Sequence, residues 1–198
     1  MVKILGVSGS MRTQSRSVRA LSLALDAAAA QGAETRLLDL NALDLPMYRP
    51  DRKPDTETVR AASEAVNWAD CFVLSSPDYH GSMSGAMKNF LDYFWTEFAG
   101  KLFGYLCASH EKGLTVMDQM RTAVRQCYGW SLPYGVAVHS DEDFDAEGNI
   151  AAGVTRRLQM LGRDVAVYGA VIRQQYERDI TGDASDTFAA RYRKKTSA

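Results

Sequence analysis

The chain has 198 residues, with 23 Lys and Arg against 24 Asp and Glu and a hydrophobic fraction of 46%. This near-neutral balance argues against a dedicated nucleic-acid surface, and the length and apolar content allow one domain whose core needs neither disulfides nor structural metal. Cys71, Cys107 and Cys127 are too widely spaced for a disulfide framework or a Cys-x-x-Cys pair, which sets a reducing, cytoplasmic expectation.

The run Val2 to Val7, broken only by Lys3, reads as a short buried strand that stops at Ser8-Gly9-Ser10. Because a strand begins within a few residues of Met1, no signal peptide is read there, and no apolar run is long enough to span a bilayer. From Ser15 the pattern turns helical through Val18, Leu21, Leu23 and Leu25, with Gly32 as the stop. Glu34 to Leu38 is the second strand, followed by a loop with Pro46, Pro50 and Pro54 and a helix from about Thr56 to Trp68. Cys71 to Leu74 is continuous and apolar, as a strand buried on both faces should be. Between Ser75 and Gly81, proline and glycine are expected to forbid either regular structure, after which a helix runs from near Ser84 to about Phe98. Leu102 to Ala108 is the fourth strand, and the polar loop Ser109 to Gly113 leads into a helix ending near Tyr128. Tyr134 to Val138 is the fifth strand, and an amphipathic helix spans Ala151 to Tyr168 or beyond. The expected division is one domain over residues 1–180 and a flexible tail over 181–198, in which Arg191 to Lys195 form a solvated basic cluster.

Five strands alternating with helices predict an α/β, doubly wound parallel sheet with right-handed crossovers. In the strand order 2-1-3-4-5, ligands bind beyond the carboxyl ends of strands 1, 3 and 4. The loops there are Ser8 to Ser17, Ser75 to Ser84 and Ser109 to Gly113, all polar or glycine-containing. The first, with Ser10, Arg12, Ser15 and Ser17 just before a helix, is an anion cradle in which exposed N–H groups, hydroxyls and guanidinium converge. It is neither Gly-x-Gly-x-x-Gly nor a Walker P-loop, which disfavours dinucleotide binding in this loop and nucleotide-triphosphatase chemistry. The second combines a rigid turn, small residues and Tyr79 before a helix, a surface suited to a flat heterocycle.

Together the two segments resemble the NADPH-dependent FMN reductase family of flavodoxin-like oxidoreductases. The family's Gly-Ser-x-Arg-x-x-Ser pattern is matched by Gly9, Ser10, Arg12 and Ser15. Its longer second pattern is matched by Pro77, Tyr79, His80, Ser82, Gly85, Lys88, Asn89 and Asp92, with Asp78 where Glu is more usual. The resemblance implies a flavodoxin-like fold with order 2-1-3-4-5 and FMN as cofactor. Ser10, Arg12, Ser15 and Ser17 would hold the phosphate, and Pro77, Asp78, Tyr79, His80, Gly81 and Ser82 would border the isoalloxazine ring. From the third loop only Ser109 and His110 carry over. It also implies NADPH or NADH as co-substrate, a small-molecule electron acceptor and a homodimer or homotetramer.

Because the flavin N5 takes the hydride, no catalytic side chain is required, and an open pocket used alternately by donor and acceptor implies ping-pong kinetics. Quinones, flavins, azo compounds and oxidised metal ions all qualify as acceptors. The alternative is a non-enzymatic flavodoxin-type carrier or flavin-dependent sensor. Such carriers are typically strongly acidic and lack an arginine at position 12, whereas this chain is near neutral. Lys88 and Asp92 are four residues apart on one helix, so the charged set Lys88, Asn89 and Asp92 reads as structural. His80 is open to two readings, a flavin or nicotinamide contact or a solvated turn residue. His80, His110 and His139 lie in different loops and make no metal set, and the acidic stretch Asp141 to Gly148 reads as a solvated loop. Cys107 reads as a buried small residue. Phe90, Phe94 and Phe98 are expected in the core, with Tyr93 and Trp95 pointing outward toward a partner surface.

Overall fold

The computed structural model describes residues 1–192 apart from Gln14, Lys53 and Ser140. The first strand, β1 (Lys3–Ser8), buries Ile4, Leu5 and Val7, apolar on successive positions because both faces of a central parallel strand are covered. It pairs in parallel with β2 (Glu34–Asp39) on one side and β3 (Cys71–Tyr79) on the other. Beyond β3 lies β5 (Leu102–Ser109), whose outer edge is shared by two short strands. One of these, β6 (Trp130–Ser131), pairs at Leu102 and Phe103, and the other, β7 (Val136–His139), pairs from Leu106 to Ser109. The sheet therefore has the expected 2-1-3-4-5 winding, with the fifth position divided around Pro133, which cannot donate a ladder hydrogen bond.

Alternation along the strands divides the core into two layers. Leu5, Val7, Phe72, Leu74, Phe103 and Tyr105 pack beneath α3 (Glu57–Trp68), α4 (Gly85–Asp92) and α5 (Leu114–Gln126), after a single turn of helix, α2 (Leu40–Leu43). Ile4, Cys71, Val73, Leu102 and Leu106 face α1 (Arg16–Ala29) and the long α6 (Ala152–Thr181). Gly162 lets α6 approach α1 closely, since a Cβ there would stand 1.9 Å from the carbonyl oxygen of Ala24. A 3-10 turn, Phe188–Tyr192, sets Phe188 and Tyr192 against Tyr128, with the Arg191 guanidinium 4.9 Å from the Tyr128 ring centroid. Arg193, Lys194 and Lys195 lie outside the described residues.

Three expectations are corrected. Strand β3 does not stop at Leu74 but continues through Pro77 to Tyr79. The Ser75 carbonyl accepts from Gly9 N–H at 2.8 Å and so faces β1, and Pro77, two residues on, faces the same side after β1 has ended. The donor that proline lacks is not needed there. Helix α4 ends at Asp92 rather than near Phe98, and the chain re-enters the core through a 3-10 turn at Thr96–Phe98. That break lets Tyr93, Phe94 and Phe98 all be buried, so Tyr93 points inward, donating its hydroxyl to the Pro46 carbonyl at 2.8 Å. Trp95 alone of the expected pair is exposed.

Candidate functional site

The carboxyl ends of β1, β3 and β5 open on a cavity of about 480 Å³, within the range of small-molecule sites. Its first wall is the loop from β1 to α1, which contributes Ser10, Arg12, Ser15, Arg16 and Ser17. The loop is pinned from below. Gly9 N–H reaches β3 at Ser75, the Gly9 carbonyl accepts from Ser84 Oγ at 2.6 Å, and a Cβ at Gly9 would stand 2.8 Å from Met87 Cβ. Ser84 also accepts from Met87 N–H and so caps α4, tying the loop to that helix's start.

Ser15, the residue before α1, makes no side-chain cap, and the first turn contains no acidic residue. Its hydroxyl instead contacts Ser17 Oγ at 2.6 Å, while the Arg12 guanidinium has no acidic partner among the described residues. Hydroxyls, a helix amino end and a cation thus converge where no protein carboxylate caps the helix, a donor set that fits a phosphate group.

The second wall is the end of β3, Pro77, Asp78 and Tyr79. Asp78 accepts from Gly81 N–H at 2.8 Å through Oδ1 and from Ser109 Oγ at 2.9 Å through Oδ2, stitching the β3 hairpin to the end of β5. The third wall is Ala108, Ser109 and His110, and the mouth is completed by Asp141. Nine of the residues anticipated from sequence therefore share one cavity: Ser10, Arg12, Ser15, Ser17, Pro77, Asp78, Tyr79, Ser109 and His110.

His80, Gly81 and Ser82 are not among its walls. His80 and Gly81 have φ of 57° and 73° and form the two-residue turn of a hairpin in which β4 (Ser82–Met83) folds back antiparallel on β3. Ser82 Oγ donates to Gln119 Oε1 at 2.9 Å, and Met83 N–H donates to the same oxygen at 3.1 Å, so Gln119 of α5 anchors the hairpin. Three wall residues went unanticipated as ligand contacts, Ala108 and the charged Arg16 and Asp141. Arg16 lay inside the recognised loop and its charge was the available signal, whereas Asp141 sat in a stretch whose acidity suggested only solvation.

Burial pushes the Cys107 thiol up to about 12, so it stays protonated and is a poor nucleophile. Among the described residues no group of three or more His, Cys, Asp or Glu could hold a metal ion, and no helix is long and apolar enough to cross a membrane.

The model of the NADPH-dependent FMN reductase family matches residues 2–143. The chain belongs to this family. An NADPH azoreductase from Bacillus sp. (strain OY1-2) is 33% identical over 109 residues, which cover 53% of this chain and 61% of that protein. The NADPH-dependent FMN reductase ArsH from Shigella flexneri is 37% identical over 100 residues, 50% of this chain and 38% of that protein. The chain thus spans less than two thirds of these curated relatives. Among solved structures, the apo form of the NADH:FMN oxidoreductase EMOB superposes with a TM-score of 0.71 at 19% identity, covering 85% of this chain and 90% of that one. FerB from Paracoccus denitrificans, a flavoenzyme NAD(P)H:(acceptor) oxidoreductase, gives 0.70 at 20% identity over 86% of this chain and 98% of that one. At those identities the structural likeness speaks for the fold, which is flavodoxin-like.

Proposed function

We propose that the chain is an NAD(P)H-dependent FMN oxidoreductase that passes electrons from reduced nicotinamide to a small acceptor. The observation that carries this reading is the single cavity in which the uncapped, arginine-bearing loop meets the rigid wall Pro77 to Tyr79. Ser10, Arg12, Ser15 and Ser17 would hold the FMN phosphate, and Pro77, Asp78 and Tyr79 would border its ring system, with Ser109 and His110 on the far side. When bound, FMN supplies the hydride-accepting and electron-returning chemistry, so the protein needs no acid or base of its own. The open mouth lets donor and acceptor use one face in turn, which implies ping-pong kinetics. Azo compounds and quinones are the acceptors to assay first, because relatives of the chain are named azoreductases.

His80, Gly81 and Ser82 act in this proposal through the shape of the hairpin rather than by touching the ring. The working unit is one domain over residues 1–180 that assembles as a homodimer or homotetramer in a reducing cytoplasmic setting. Exposed Trp95 and Trp130 and the free thiols are in keeping with it.

The test is anaerobic addition of NADPH or NADH to the FMN-loaded protein. Loss of the yellow flavin absorbance within seconds, followed by recovery on addition of an azo dye or quinone, is the expected result. A protein that binds FMN but is reduced by neither nucleotide would be a carrier or sensor instead. Arg12→Ala is expected to weaken FMN binding by about tenfold or more, since a charge-assisted bond contributes roughly 1.5–3 kcal/mol. Fluorescence titration with FMN measures it.

A further inference from the structure

Three separate loops meet at the cavity mouth. Asp141 Oδ1 lies 3.1 Å from Arg16 Nη1 at the start of α1, and its Oδ2 lies 3.5 Å from His110 Nδ1 in the loop after β5. All three residues line the cavity. One carboxylate thus joins the phosphate-type loop to the far wall, across the opening between them.

The backbone that bears the carboxylate is hydrogen-bonded to His139. His139 Nδ1 accepts from Glu142 N–H at 3.1 Å and Asp141 N–H at 3.4 Å, and His139 N–H donates to Asp143 Oδ2 at 2.6 Å. Further on, buried Phe144 bridges to Ile150 and lies beneath the Arg16 guanidinium, 5.5 Å from ring centroid to Cζ. The Asp141 backbone is thus tied to His139, and the longer side chains of Arg16 and His110 reach its carboxylate.

We propose that Asp141 is a positioning residue that clasps Arg16 and His110 over the cavity and so retards release of the bound flavin. The inference rests on the FMN reading. The side chains of Arg16, Asp141 and His110 are 47%, 68% and 73% exposed, so each contact is individually weak and the clasp opens readily. Reversible fastening is what a site needs if its ligand must enter after folding.

The Arg16 arm is charged at all working pH values, whereas the His110 arm becomes an ion pair only when the imidazole is protonated. The charged and titratable groups around His110 are Asp141 and, through it, Arg16, then His139 from the end of β7, and Glu111 and Lys112 of its own loop. Arg12 and Asp78 line the same cavity.

The test measures the dissociation rate of FMN from the loaded protein by flavin fluorescence, in wild type, Asp141→Asn, His110→Gln and the double variant. Rates are compared at pH near about 6 and about 8.5, on either side of the ordinary histidine range. Expected is release about two- to five-fold faster in Asp141→Asn at the lower pH, the range that exposed ion pairs provide. A smaller acceleration should remain at the higher pH, from the Arg16 arm. The additional effect at low pH should vanish in the His110→Gln background, and Asp141→Glu should restore slow release. The flavin phosphate titrates in the same region, so the Asp141 effect is read as its His110-dependent part across the cycle rather than from the wild-type pH profile alone.

Unchanged or slower release in Asp141→Asn overturns the clasp, the latter showing a carboxylate that merely repels the phosphate. So does an acceleration independent of His110 at both pH values. A wild-type protein that takes up no FMN overturns both this inference and the functional reading beneath it.

Discussion

Asn89 illustrates what a motif residue can do besides chemistry. Its neighbours Lys88 and Asp92 pair on the helix surface at 2.5 Å, whereas Asn89 is buried and faces the loop after α2. Its side chain accepts from Tyr48 N–H at 2.8 Å and donates to the carbonyls of Pro46 at 3.0 Å and Leu45 at 3.4 Å. Asn89→Ala leaves those backbone groups without their partner and is expected to cost about 1–3 kcal/mol in a urea titration. Lys88→Ala, which removes only an exposed pair, should cost under about 0.5 kcal/mol. The spacing of Lys88 and Asp92 announced their pairing in the sequence, but nothing local to Asn89 named Pro46 or Tyr48, some forty positions earlier. The same separation hid Asp141, whose partners Arg16 and His110 are distant in the chain.

Elements were legible wherever a local pattern governed them. Strands buried on both faces wrote continuous apolar runs, and helices wrote a 3.6-residue period. Errors arose where a neighbour decided. Pro77 continues a strand where β1 has stopped beside it, and α4 ends at Asp92, where Tyr93 turns inward to the Pro46 carbonyl. The contact of α1 with α6 is equally nonlocal. Gly162 reads as an unremarkable glycine within a helix, yet a Cβ would press on Ala24 O at 1.9 Å and Ala27 Cβ at 3.1 Å. Gly162→Ala, despite its better intrinsic helix propensity, is expected to lower stability by at least about 1–3 kcal/mol, because backbone cannot rotate away as a side chain can. Thermal unfolding followed by circular dichroism measures it, and an unchanged midpoint would mean that α6 shifts freely on α1.

For the molecule as a whole, burial of weak acids predicts the alkaline limit of stability. Burial pushes the thiols of Cys71 and Cys107, and the Tyr105 phenol, each up to about 12. Groups raised in the folded state contribute stability that is complete below their unfolded values and is lost as pH rises through that interval toward the folded values. Burial lowers Lys101 from 10.5 to about 8, which acts in the opposite sense, adding stability as pH rises between those values. The two buried thiols act first and the Tyr105 phenol joins them above its ordinary value of about 10, so the unfolding midpoint should fall as the pH passes the ordinary thiol value of about 8.5. Cys107→Ala should flatten that fall. An alkaline profile that rises instead would assign the controlling role to Lys101.

By itself, the sequence determined the winding of the sheet, the end of it at which the cavity opens and the three loops that line that cavity. Each of these follows from side-chain periodicity, turn chemistry and a rule of topology that holds for any parallel sheet of this order. Only the tertiary structure decided which members of those loops share one cavity. It turned His80 and Gly81 into a hairpin turn, put Gln119 behind Ser82 and brought Asp141 between Arg16 and His110. Such contacts join positions far apart in the chain, and they depend on where packing sets each loop against the next, which no local pattern of residues encodes.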